Sequence, residues 1–294
     1  MGIHRYQDVI EDLFWAVNTL DRPGANVSLV NAALRGTQYM GKLDDIGSSL
    51  YDQQVRGSLV RSAPYFITTQ VTELITASAA SLPPETVLTE SMFPTLNGYA
   101  RQEDPMEQLP QSLTFCGVLW GWGNFDLSAT QDLGTEPGIG EYLMSHGGKV
   151  LTTIGLFRVV PPQGYLSTLP LGSCMWPEGM PLGELIRLYK VSADHGGLLG
   201  TYDALRAMER LARFVGALAL FMQQEIVVPK REPADRATRR RLEHAGVGRQ
   251  AAAHQDCVVV RLRRISHSPP NPDATPRNWA SRWWVGWPNG TWRV

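Results

Sequence analysis

The chain has 294 residues, 43% of them hydrophobic, with 28 Gly, 20 Pro, nine Trp and a formal net charge of -1. That length and apolar content exclude a wholly disordered chain and fit one large domain or two modest ones, while so much glycine and proline argues against helices alone. The near-neutral total hides a split: residues 230–294 carry thirteen Lys and Arg against five Asp and Glu, a balance of +8 that leaves -9 on the first 229 residues.

Asp8, Glu11 and Asp12 interrupt any apolar run near the start, so no signal peptide is expected and the chain reads as cytoplasmic. Tyr6, Val9, Ile10, Leu13, Phe14, Val17 and Leu20 recur three and four apart, which predicts an amphipathic helix stopped by Pro23 and Gly24. A second helix is expected over 28–35. A third is expected to open with Ser62 as its cap and Pro64 in its first turn, to bury Phe66, Ile67, Val71, Leu74 and Ile75, and to end at Pro83 and Pro84.

From Leu96 the texture changes to short β-rich runs, over 98–101, 112–122, 150–160 and 165–169, which predict an antiparallel sheet. Pro161, Pro162, Pro170, Pro177 and Pro181 are expected to break the next stretch into loops. The clearest helix runs over 203–226, with Leu205, Met208, Leu211, Val215, Leu218 and Met222 on one face. Its apolar stretch from Phe214 to Met222 is far too short to span a bilayer, so it predicts a buried helix and no membrane contact.

Pro229 and Pro233 suggest a boundary between an acidic α+β body, residues 1–229, and a basic Arg/Trp-rich region, residues 230–294, packed on it. That region is expected to hold a short helix over 235–245, a strand over 257–264 and a hairpin turned at Asn289 and Gly290. The expected class is α+β: N-terminal helices, a central antiparallel sheet, a long amphipathic helix and a small basic β-rich C-terminal region.

Familiar chemical motifs fail residue by residue. A phosphate loop ending at Gly148-Lys149 would need Gly where Leu143 stands and Ser or Thr where Val150 stands, and Gly138-Ile139-Gly140 lacks the third glycine of a dinucleotide fingerprint. His146-Gly147-Gly148 and His195-Gly196-Gly197 are similar to the oxyanion loop of lipases, yet no Gly-x-Ser-x-Gly elbow supplies a nucleophile. His244, His254, Cys257 and His267 match no zinc spacing, and no metal or cofactor is expected. Cys116, Cys174 and Cys257 read as reduced, packed thiols.

The basic region carries the strongest lead. Arg236, Arg239, Arg240 and Arg241 fall on the expected short helix, Arg261, Arg263 and Arg264 on the expected strand, and strand alternation would turn Arg261 and Arg263 to one side. Guanidinium groups fork onto phosphate oxygens, and Trp279, Trp283, Trp284, Trp287 and Trp292 offer surfaces for bases to stack on. Alternation would bury Trp283 and expose Trp284. The competing arrangement buries the tryptophans as core and pairs the arginines with the acidic body.

Asp235 through Gly246 (DRATRRRLEHAG), Val258 through Arg264 (VVVRLRR) and Ser281 through Val285 (SRWWV) together resemble an uncharacterised family of proteins from actinobacteria, their phages and integrated elements. The Gly98-Tyr99 strand, Leu119-Trp120, residues 169–176 and residues 214–224 are also similar, so the resemblance covers most of the chain. Relatives follow the Trp-Val run with Gly-His-Trp-Arg, whereas Gly286 is here followed by Trp287 and Pro288, so no role for that histidine carries over.

The resemblance implies a prophage or mobile-element accessory protein, with phage defence by exclusion of other phages as its expected service. Its basic surface, with Arg282 and Trp284 beside the arginines already named, is expected to engage nucleic acid or an acidic partner. Two alternatives stand beside it: a toxin or nuclease acting on nucleic acid through a histidine such as His146 or His195, and an interaction module binding a phage or host protein through exposed aromatic anchors.

Overall fold

The computed structural model describes residues 5–21, 61–104, 107–109, 113–124, 138–159, 168–194, 202–244, 256–263, 285–287 and 290–292. The chain divides into two compact units, Met1–Leu262 and Arg263–Val294.

The first unit is α+β, built on an eight-stranded mixed sheet in the order β6-β5-β4-β2-β1-β8-β7, with β3 paired to β4. The strands are β1 (Ala63–Ile67), β2 (Asn97–Gln102), β3 (Glu107–Leu109), β4 (Leu113–Asn124), β5 (Lys149–Val159), β6 (Thr168–Pro177), β7 (Val227–Pro233) and β8 (Asp256–Leu262). Pairing is antiparallel across β2, β4, β5 and β6, as expected from the short β-rich runs, and also between β7 and β8. The centre differs: β1 runs parallel to both β2 and β8.

Parallel central strands are covered on both faces, and their sequence shows it. Tyr65, Ile67, Val258 and Val260 enter one core, while Phe66, Cys257 and Val259 enter a second core on the other side. Helices α2 (Thr69–Ala80), α3 (Ile139–His146), α4 (Leu182–Asp194) and α5 (Tyr202–Met222) feed the first core with Val71, Leu143, Leu185 and Leu218 among others. The second core is closed by α1 (Tyr6–Asp21) through Val9, Ile10 and Leu13, and by α6 (Arg236–His244) through Leu242.

Residues 63–67 correct the sequence expectation, because they form a strand and not the first turn of a helix. Tyr65, Phe66 and Ile67 are all buried, so no period separates a helical stripe from a strand covered on both sides. Pro64 is tolerated because β8 pairs with β1 only from Tyr65 onward. The helix begins two residues after the strand, where Thr68 is extended and its carbonyl accepts the Thr72 N–H at 2.9 Å.

The prolines at 170 and 177 likewise lie within the edge strand β6, and Pro181 immediately precedes α4, where the sequence suggested only loops. The expected boundary at residues 229 and 230 falls inside β7, which pairs with β8 from Val227↔Leu262 to Pro233↔Asp256. Residues 230–233 and 256–262 therefore belong to the same sheet as the body. Pro229, Lys230 and Pro233 are exposed along this edge, where missing donors and charge discourage further strand pairing.

Trp120 fixes the middle of the sheet. Its ring lies 4.8 Å from Tyr65 and 5.7 Å from Phe93, and its Nε1 donates to the Thr95 carbonyl at 3.2 Å. It sits opposite Gly98, where a Cβ would come within 2.0 Å of the indole, so only glycine fits.

In the second unit, β9 (Val285–Trp287) and β10 (Gly290–Trp292) pair antiparallel with Trp287 opposite Gly290, the hairpin expected there. The helix expected over 28–35 lies outside the described residues. Among the described residues, no helix is long and apolar enough to cross a membrane.

Candidate nucleic-acid interface

Helix α6 presents its arginines by a simple division of sides. Asp235 caps it, accepting the Thr238 N–H at 2.7 Å, and that donated hydrogen bond holds the Asp235 carboxyl below its ordinary range. Thr238 and Leu242, four residues apart, face the second core and are buried. Helical geometry then sends Arg236 and Arg240 to the opposite side, with Arg239 and Arg241 on the two flanks. Arg236, Arg239 and Arg240 are exposed, and among the described residues no carboxylate forms an ion pair with them.

Arg241 is different. Its Nε donates to Glu11 Oε1 at 3.0 Å and its Nη2 donates to the same oxygen, while Thr238 Oγ1 reaches that oxygen at 3.1 Å. Glu11 comes from α1, so this flank of α6 is neutralised by the acidic body. Of the four arginines expected on the helix, three are without an ion pair among the described residues and one is internally paired.

The adjoining sheet edge adds to the same side. Arg261 stands opposite Val228, and Lys230 stands opposite Val259, whose side chain belongs to the core beneath α1 and α6. Residues opposite each other in a ladder share a face, so Arg261 and Lys230 project on the side that carries α6. Lys230 is bridged to Glu232 at 2.7 Å; Arg261 is exposed. Arg263 is exposed too, but β8 ends at Leu262, so strand alternation no longer places it beside Arg261. Arg264, Arg282, Trp283 and Trp284 lie outside the described residues.

No family model, curated protein or solved structure matches this chain.

Other candidates resolve into structural roles. Cys257 is buried in the second core with its thiol pushed well up by burial, and Cys174 is buried with its thiol pushed up to about 12, so neither offers a ready thiolate. Cys116 donates to the Leu156 carbonyl at 3.1 Å. His244 is exposed at the end of α6, His254, His267 and His195 lie outside the described residues, and no group of three or more metal-ligating side chains forms among the described residues.

His146 stacks on Tyr142 with ring centroids 4.2 Å apart, and its Nδ1 lies 3.0 Å from the Tyr142 carbonyl and 2.8 Å from Ser145 Oγ. A carbonyl only accepts, so Nδ1 carries the proton and donates. Ser145 in turn donates to the carbonyls of Glu141 or Tyr142 at 2.9 and 3.0 Å. The polarity is the reverse of that needed for this nitrogen to deprotonate the serine.

At the carboxyl ends of the parallel strands, a common ligand position in sheets of this kind, the side chain that follows β2 meets the start of α2. Glu103 Oε2 accepts the Thr69 N–H at 2.9 Å and its hydroxyl at 3.0 Å, capping α2.

Beneath α1, Arg101 Nη1 meets Asp12 Oδ2 at 2.8 Å, and the Tyr99 hydroxyl donates to the same carboxylate. Burial, followed by the Asp12 charge, pushes the Tyr99 phenol well above its ordinary range. This cluster was not legible beforehand, because Asp12 reads as one more acidic residue on an amphipathic helix and Arg101 lies in a short strand. Both it and the Glu11 contact join residues far apart in the chain.

Proposed function

We propose that this chain is a cytoplasmic accessory protein of a prophage or mobile element, serving the exclusion of other phages, and that it engages nucleic acid through α6 and the adjoining edge of the sheet. The observation that carries the binding part is the exposure of Arg236, Arg239 and Arg240 on one short helix, with Arg261 on the same side of the sheet. Forked guanidinium groups without carboxylate partners among the described residues are suited to phosphodiester oxygens, which they contact without reading sequence. The mobile-element part rests on the resemblance of residues 235–285 to proteins of phages and integrated elements.

The test is binding of labelled single-stranded and double-stranded oligonucleotides at a series of salt concentrations. Affinity should fall steeply with salt, because each phosphate contact releases condensed counterions. The triple change Arg236→Glu, Arg239→Glu and Arg240→Glu should abolish binding in a chain that still unfolds cooperatively. Salt-insensitive binding, or none, overturns the nucleic-acid reading. Pull-down from infected cells with and without nuclease then distinguishes nucleic acid from an acidic protein partner, and plating efficiency of phages on cells expressing wild type or the triple variant tests exclusion.

A further inference from the structure

We infer that Arg241 and Thr238 form a phosphate cradle in which Glu11 stands in for the ligand, so that the chain's own carboxylate competes with nucleic acid for α6. This rests on the nucleic-acid reading of α6 and adds a regulating element to it.

A single oxygen, Glu11 Oε1, collects Thr238 Oγ1 at 3.1 Å, Arg241 Nε at 3.0 Å and Arg241 Nη2. Arg241 Nη2 also lies 3.2 Å from Thr238 Oγ1, which ties the two donors together. A guanidinium with a hydroxyl beside it is a donor set that also grips a phosphate oxygen. Thr238 is fully buried and sits in the capped first turn of α6, so its hydroxyl is held in place before any ligand arrives.

The occupant is replaceable because the pair is wet. Side-chain exposure is 55% for Arg241 and 26% for Glu11, whereas Arg101, paired with Asp12 on the same helix α1, is 3% exposed. An exposed pair is weak and open to exchange, and the exposed Arg236, Arg239 and Arg240 on the same helix would bring phosphates beside it. Release of Glu11 need not release α1, because Val9, Ile10 and Leu13 remain in the second core and Asp12 remains on Arg101.

The experiment compares wild type, Glu11→Gln and Glu243→Gln in binding a labelled single-stranded oligonucleotide at fixed low salt. Glu243 is exposed on α6, so its replacement removes the same charge without touching the cradle. Glu11→Gln should tighten binding roughly fivefold, Glu243→Gln by less than about twofold, and adding Arg241→Gln to Glu11→Gln should erase the gain. Glu11→Ala provides the same comparison with the competing acceptor removed altogether, and thermal unfolding of each variant identifies any that fails to fold.

Equal gains from Glu11→Gln and Glu243→Gln would reduce the effect to net charge and overturn the inference. So would no gain at Glu11 while the wild type binds, an outcome that leaves the nucleic-acid reading standing. If neither the wild type nor any variant binds, both fall together.

Discussion

Two arginines meet the acidic side of α1, and their surroundings separate them. Arg101 lies beneath the helix with its side chain 3% exposed, against Asp12 and Tyr99; Arg241 lies at the rim with its side chain 55% exposed, against Glu11. In the low dielectric of the core, removing one partner strands a charge, so the inner pair holds α1 on the sheet. At the rim, water and salt screen the pair, and another anion can take the carboxylate's place. The contrast teaches that the same pair of groups is structural or exchangeable according to how much water reaches it.

The largest expected effect lies on the buried side. Arg101→Met leaves the Asp12 carboxylate and the Tyr99 hydroxyl without their cation and should lower stability by about 3 kcal/mol, measured by urea unfolding. A loss under about 1 kcal/mol would break the contrast at its stronger end.

Tyr99→Phe removes a hydrogen bond to a charged acceptor and should lower stability by about 1.5 kcal/mol near neutral pH. The sign of its pH dependence follows from the raised phenol: the unfolded chain loses the proton first, at about pH 10, while the native state retains it. Wild-type stability therefore declines from about pH 10 upward, the variant lacks that contribution, and the gap between them should narrow in alkaline unfolding experiments. A gap that widens instead would sink the assignment of a buried neutral phenol.

On the exposed side, Asp235→Ala should weaken α6 locally. Because the Asp235 carboxyl is held low by the Thr238 N–H, its support is present above about pH 4 and lost as pH falls through its native value. Hydrogen exchange along α6 should show faster opening in the variant at neutral pH and convergence with wild type in acid.

The smallest stability effect sharpens the comparison most. Arg239→Ser with Arg240→Ser should change unfolding by no more than about 0.5 kcal/mol, while the salt slope of oligonucleotide binding falls by roughly one to two. A large stability loss there would place these side chains in the fold and not on its surface.

Much of the helical layer was legible because its periods are strong. Leu211, Val215, Leu218 and Met222 mark one side of α5, and Val9, Ile10 and Leu13 mark one side of α1, where the structure buries them. Asp235 before the arginine run marked the start of α6. The innermost strand, β1, was not legible, since Tyr65, Phe66 and Ile67 are apolar without alternation and β1 pairs in parallel with strands that begin 34 and 193 residues later, at Asn97 and Asp256. Prolines misled for the same reason: Pro229 and Pro233 look like a linker, yet at a sheet edge their missing donors go unused.

For the candidate surface, sequence alone established the charge split and the grouping of arginines on a short helix, which depend on composition and on neighbours within a few residues. Which arginine stays open was decided only by the tertiary structure. Arg240 and Arg241 are adjacent in the chain, but the docking of α1 brings Glu11 to one flank of α6 and no described carboxylate to the other side. Charge count is a property of composition; the freedom of a charge depends on which distant carboxylate the folded chain brings within hydrogen-bonding reach.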